Sequence, residues 1–84
     1  MDNKIFVGGL SYQTDEAGLT TAFSQYGHII NLRIVRNHED GSSKGFGFIT
    51  FRSAEEANNS LAMDGQKLDG RLIGVKIAYT PNRK

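Results

Sequence analysis

Few residues in this chain of 84 suit chemistry that makes or breaks covalent bonds. There is no cysteine, which removes thiolate nucleophiles, disulfides and thiolate metal sites together. His28 and His38 have no evident ligand partners and read as ordinary surface residues, so no metal and no cofactor is expected. No set of Ser, His and Asp and no paired carboxylate site presents itself, and no enzymatic activity is expected. The chemistry that remains is non-covalent, and it is concentrated in one octet. In KGFGFITF, residues 44–51, two glycines and one lysine are set among aromatic and branched apolar side chains. Flat aromatic faces stack on flat partners, and a cation beside them pairs with an anion.

A strand sends successive side chains to opposite faces, so Phe46, Phe48 and Thr50 share one side of the octet while Gly47, Ile49 and Phe51 share the other. Both sides are apolar. Such a strand is either sandwiched between two layers or exposes its aromatics for a purpose. A chain of this length makes one domain, in which one layer of helices on one sheet is about all that can be buried.

The elements around the octet follow from period and punctuation. KIFVGGL (4–10) alternates into a first strand that ends at paired glycines. A helix is expected over 14–27, with Thr14 as its N-cap, Leu19, Ala22, Phe23 and Tyr26 on one stripe, and Gly27 as its stop. IINLRIVR (29–36) sets Ile30, Leu32 and Ile34 against Asn31, Arg33 and Val35 as a second strand. NHEDGSS, with Asp40-Gly41, is the hairpin turn into the octet. Ser53 followed by Glu56 has the spacing of a capping box, opening a helix whose apolar stripe is Ala54, Ala57, Leu61 and Ala62 and which Gly65 closes. RLIGVKIAY (71–79) is the last strand, with Ile73, Val75 and Ile77 alternating against Leu72, Gly74, Lys76 and Ala78.

The order is βαββαβ. Right-handed crossovers put both helices on the same side of the sheet. The expected fold is therefore α+β, a ferredoxin-like βαββαβ sandwich with a four-stranded antiparallel sheet and two helices on one face. The domain would span 1–84, with a core of about 4–79 and a short basic tail at 80–84. Ile5, Val7, Leu32, Ile34, Ile49, Phe51, Val75 and Ile77 supply the continuous aliphatic face under the helices. Phe6, Phe46, Phe48, Arg33 and Lys76 are left on the open side, flanked by Lys4 and Lys44.

The formal net charge of +1 conceals a division of charge along the chain. The helical stretches carry five acids and no base, while everything else carries ten bases and four acids, a formal −5 against +6. A basic open face bearing exposed phenylalanines offers π-faces for bases and cations for phosphates, which suits single-stranded nucleic acid.

At this point the residues resemble a family, the RNA recognition motif of heterogeneous nuclear ribonucleoproteins and of glycine-rich or cold-inducible RNA-binding proteins. KGFGFITF fills every position of that family's RNP1 octet, and IFVGGL (5–10) is similar to its RNP2 hexamer. The resemblance covers essentially the whole chain. It implies that Phe6 and Phe48 stack on successive bases, that Phe46 packs against sugars and that Lys44 contacts the phosphate backbone. It also implies that Lys76, Ala78 and Tyr79 are last-strand and tail positions where a base edge is read. Gly74 offers only backbone there.

The expected partner is single-stranded RNA, with tolerance for single-stranded DNA. The alternative is a protein-interaction module that uses the open sheet or the acidic helical face. An acyl-phosphate hydrolase of the same strand order would need an arginine cradle in the loop after the first strand, and GGLSYQT contains none. With no apolar run of membrane-spanning length and no secretory signal, the expectation is an intracellular monomer, nuclear and/or cytoplasmic.

Overall fold

A computed structural model describes residues 3–78. Strand β1 (Lys4–Gly8) alternates half-buried and buried positions, as its one-sided pattern requires. Helix α1 (Glu16–Phe23) continues into a 3-10 turn over Ser24–Tyr26. Strands β2 (Ile29–Arg36) and β3 (Ser43–Phe51) form the expected hairpin. Its turn is closed by Gly41 N–H donating to the Asn37 carbonyl at 2.8 Å, with Gly41 at φ 76°. The Asp40 carboxylate accepts from the N–H and hydroxyl of Ser42, and these bonds hold its pKa below the ordinary carboxylate value. Helix α2 (Ala54–Asn59) passes into a 3-10 turn over Ser60–Met63. A two-residue ribbon of β4 (Lys67–Leu68) and β5 (Arg71–Leu72) precedes β6 (Gly74–Ile77).

The main sheet has the order β2-β3-β1-β6, every pairing antiparallel. β1 and β2 are therefore parallel across β3, and β3 and β6 are parallel across β1, so α1 and α2 each serve as a crossover. The two central strands are the ones that carry the phenylalanines. Beneath them Ile5, Val7, Ile49 and Phe51 are fully buried with Leu19, Phe23 and Ala57 from the helices. Leu32 and Ile77 pack against this core while half-buried.

Five sequence expectations need correction. Thr14 does not cap α1. The cap is Asp15, whose Oδ1 accepts Gly18 N–H at 2.8 Å, while Thr14 is buried and donates its hydroxyl to Asp69 Oδ2 at 2.6 Å. Ile30 does not face the helices either. A register irregularity between Ile29 and Asn31 breaks the alternation, turns Ile29 toward the core and leaves Ile30 exposed.

The last strand is shorter than 71–79 within the described residues. Ile73 leaves the β1 ladder, giving its N–H to the Gln66 carbonyl and taking Gly65 N–H on its own carbonyl (2.9 and 2.8 Å). The capping box is half formed: Ser53 Oγ accepts Glu56 N–H at 3.2 Å, but Glu56 Oε1 is buried with no hydrogen-bond partner. Ala62, placed on that helix's apolar stripe, is exposed, and Met63 takes the buried position instead.

One ion pair explains why Arg36 stays off the open face. Its guanidinium donates to Glu16 at 2.7 Å, and this bond holds the Glu16 carboxyl below its ordinary value. Both side chains are well exposed, so the pair adds at most about 1 kcal/mol.

Candidate nucleic-acid interface

Strand pairing converts the sequence alternation into rows across the open face. Phe6 pairs with Phe48 on one side and with Lys76 on the other, and Phe48 pairs with Arg33. The central row therefore runs Arg33, Phe48, Phe6, Lys76, two cations bracketing two rings. In the neighbouring row Gly8 sits between Phe46 and Gly74. At Gly8 a Cβ would crowd the platform, lying 2.9 Å from the Phe6 ring, whereas at Gly74 it would meet only Asp64 Oδ1 at 3.7 Å. On the other flank Lys4 pairs with Thr50, which pairs with Asn31.

The three rings touch one another. Phe6 lies 5.7 Å from Phe46 and 5.7 Å from Phe48, centroid to centroid, and Phe46 lies 6.3 Å from Phe48 at an interplanar angle of 89°. These are the tilted and edge-to-face contacts that aromatic quadrupoles favour. The Lys4 ammonium sits 5.1 Å from the Phe48 centroid, so a cation already lies over that ring. All three phenylalanines remain half-exposed, whereas Phe51 of the same octet is fully buried.

The predicted residues do not all converge. Lys4, Phe6, Arg33, Phe46, Phe48 and Lys76 come together on the sheet. Lys44 stands apart at the loop end, where it borders two recesses. Ala78 lies just past β6, and its N–H is bonded to the Lys4 carbonyl at 2.8 Å. Tyr79 and the basic tail lie outside the described residues.

Gly45 explains the displacement of Lys44. It holds φ at 85° and presents its carbonyl to Leu10 N–H at 2.8 Å, which ties the start of β3 to the loop after β1. Gly45→Ala meets no tight contact, since its Cβ would lie 3.6 Å from the Leu10 carbonyl oxygen, so the penalty is conformational. A loss of about 1–2 kcal/mol is expected, seen as a lower midpoint in thermal or urea unfolding.

Two residues near this end carried no signal in the sequence. Tyr12 is 80% exposed in the loop after β1, and Arg71 arrives there from β5, its Nε donating to the Gly9 carbonyl at 3.3 Å. An arginine thus reaches the GGLSYQT loop from a hairpin distant in sequence, through one backbone hydrogen bond. Among the described residues no group of three or more acidic or histidine side chains is placed to hold a metal.

Known proteins match this arrangement. Residues 5–74 fit the family model described as RNA recognition motif. Glycine-rich RNA-binding protein 5, mitochondrial, of Arabidopsis thaliana is 54% identical over 76 residues, which is 90% of this chain and 26% of that protein. Small ribosomal subunit protein mS86 of the same plant is 51% identical over 77 residues, 90% of this chain and 50% of its own. The chain therefore spans between a quarter and a half of these relatives.

Among solved structures, RNA Binding Protein PG1 superposes with a TM-score of 0.88 at 32% identity, covering 95% of this chain and 98% of that one. A Sxl-lethal protein/RNA complex gives 0.87 at 26% identity, covering 92% and 48%. The chain belongs to the RNA recognition motif family, a class of RNA-binding domain.

Proposed function

We propose that this domain binds single-stranded RNA by stacking two or three nucleotides on Phe6, Phe48 and Phe46, with Lys4, Arg33, Lys44 and Lys76 meeting the phosphates. The observation that carries the reading is the central row, in which paired rings lie between Arg33 and Lys76 on the face opposite the buried Ile5 and Val7. Stacking contributes roughly 1–3 kcal/mol per base and barely distinguishes bases, so sequence preference falls to Arg33, Lys76, the Ala78 carbonyl and Tyr79. For the same reason single-stranded DNA is accepted as well.

The reading extends to a monomeric binding module without catalytic activity, a single domain over 1–84. We place it inside the cell, in nucleus or cytoplasm, and add the mitochondrion because three relatives, one at 54% and two at 43% identity, are described as mitochondrial. No helix among the described residues is long and apolar enough to cross a membrane. Protein docking on the open sheet or the acidic helical face is the competing reading, and no observation favours it.

The test is amide chemical-shift mapping with pools of short single-stranded RNA. Shifts are expected to centre on Phe6, Phe46, Phe48 and Ala78 and to weaken with added salt. Shifts confined to α1 and α2, or none with any pool, would discard the platform.

A further inference from the structure

We infer that the Lys4 side chain is a displaceable cover on Phe48. It lies on that ring in the free domain and yields it to a base as RNA arrives, when its ammonium passes to an adjoining phosphate. The inference rests on the platform reading and adds a step to it: one stacking ring is occupied by the protein's own cation before the ligand comes.

Strand register explains why the lysine lies there. Directly across from Lys4 stands Thr50, a short neutral side chain that gives an ammonium no counter-charge. Phe48 is two residues back along β3, across from Phe6, so Lys4 and Phe48 are diagonal neighbours at a separation long side chains bridge. The ammonium ends 5.1 Å from the Phe48 centroid, inside the range in which a ring quadrupole attracts a cation. Among the described residues no cation is placed over Phe6 or Phe46. Exposure agrees with the geometry: of the four cations assigned to phosphates, Arg33, Lys44 and Lys76 are exposed, whereas Lys4 is half-buried.

Cation and base cannot share the ring. A stacked base sits about 3.5–4.0 Å above its partner, and an ammonium on a methylene stem at 5.1 Å overlaps the volume it needs. Phe6 and Phe46 already press on Phe48 at 5.7 and 6.3 Å, so the side held by Lys4 is the one left for a base. The exchange nevertheless runs in the base's favour. A cation over a solvent-accessible ring is worth about two- to fivefold in affinity and a stacked base about five- to 150-fold. Lys4 therefore sets a small threshold that a stacking ligand crosses, and its ammonium has a partner in both states.

Proton NMR reads the cover directly. The Lys4 Hε signals are expected upfield in the free domain, through the ring current of Phe48, and at their ordinary position both in Phe48→Ala and at saturation with RNA. Titration then compares single-stranded pools of about four nucleotides in natural form and with uncharged methylphosphonate linkages. To the uncharged pool Lys4 is only an obstacle. Lys4→Ala is expected to tighten its binding about two- to fivefold, and Lys4→Arg, which keeps a cation for the ring, to return it to the wild-type value. For the natural pool, Lys4→Ala is expected to lower the slope of log affinity against log salt by about 0.7. Thermal melts confirm that each variant is folded.

Hε signals at their ordinary position in the free wild type, or still upfield at RNA saturation, overturn the cover while leaving the platform standing. So does an uncharged pool that Lys4→Ala binds no more tightly than wild type. An unchanged salt slope overturns the transfer to phosphate. If Phe48→Ala binds the natural pool as wild type does, the platform fails and the cover falls with it.

Discussion

Replacing Phe6 and Phe48 together by alanine is expected to weaken binding of a short single-stranded RNA about thirtyfold or more while the domain stays folded. Two stacks at about 1–3 kcal/mol apiece make about 2–6 kcal/mol, and the lower end already corresponds to that factor. The fold survives because neither ring belongs to the core: both are half-exposed, and the strand positions beside them, Ile5, Val7, Gly47 and Ile49, are buried without them. The variant does lose ring contacts worth about 0.5–1.5 kcal/mol each, so its melting temperature should fall modestly. Anisotropy titration beside a circular-dichroism melt separates the two effects. Retained affinity in a folded double variant would show that the RNA lies elsewhere.

The opposite phenotype is expected three residues on from Phe48. Phe51 occupies the other parity of the same octet and is fully buried against the helices. Phe51→Ala should cost about 3–5 kcal/mol through lost transfer energy and the cavity left behind. A domain of this size has a total stability of about 4–13 kcal/mol, so this one change removes a large share of it and can leave the chain unfolded at physiological temperature. Urea unfolding measures the loss directly. RNA affinity should fall only as far as the folded fraction falls. A Phe51→Ala protein with wild-type stability but impaired binding would invert the assignment of faces.

That contrast is also where the sequence was most legible. Period-two alternation separates Phe6, Phe46 and Phe48 from Ile5, Ile49 and Phe51 because β1 and β3 pair in unbroken register, and the same arithmetic places Arg33 and Lys76 beside the rings. It fails at Ile30, where an irregularity inserts a residue that no local pattern announces. Thr14 and Asp15 are both good caps by type, and the choice is made by a partner 55 residues away, Asp69. The last strand is cut at Ile73 because the segment at Gly65 and Gln66 folds back to take its backbone bonds, an interaction set by tertiary closure.

Tyr12 and Arg71 were invisible as a pair for a related reason. Their proximity is made by a loop and a ribbon that nothing in their spacing connects. Elements were readable from local period, whereas the junctions between elements were not.

The mutual contact of the three platform rings bears on how quickly and how selectively the domain engages its ligand. A phenyl group leaning on two others cannot swing without displacing them, so the surface is set before anything lands on it. Immobilising a mobile side chain on binding costs about 0.5–1.5 kcal/mol, and this set of side chains is largely excused from that penalty. On the proposed platform, encounter would resemble rigid docking at the centre and adaptive fitting at the edges, where Arg33, Lys76 and Lys4 carry long, rotatable stems. Selection among sequences on that platform falls to the periphery, and substitutions there should retune preference while also lowering affinity through lost phosphate contacts.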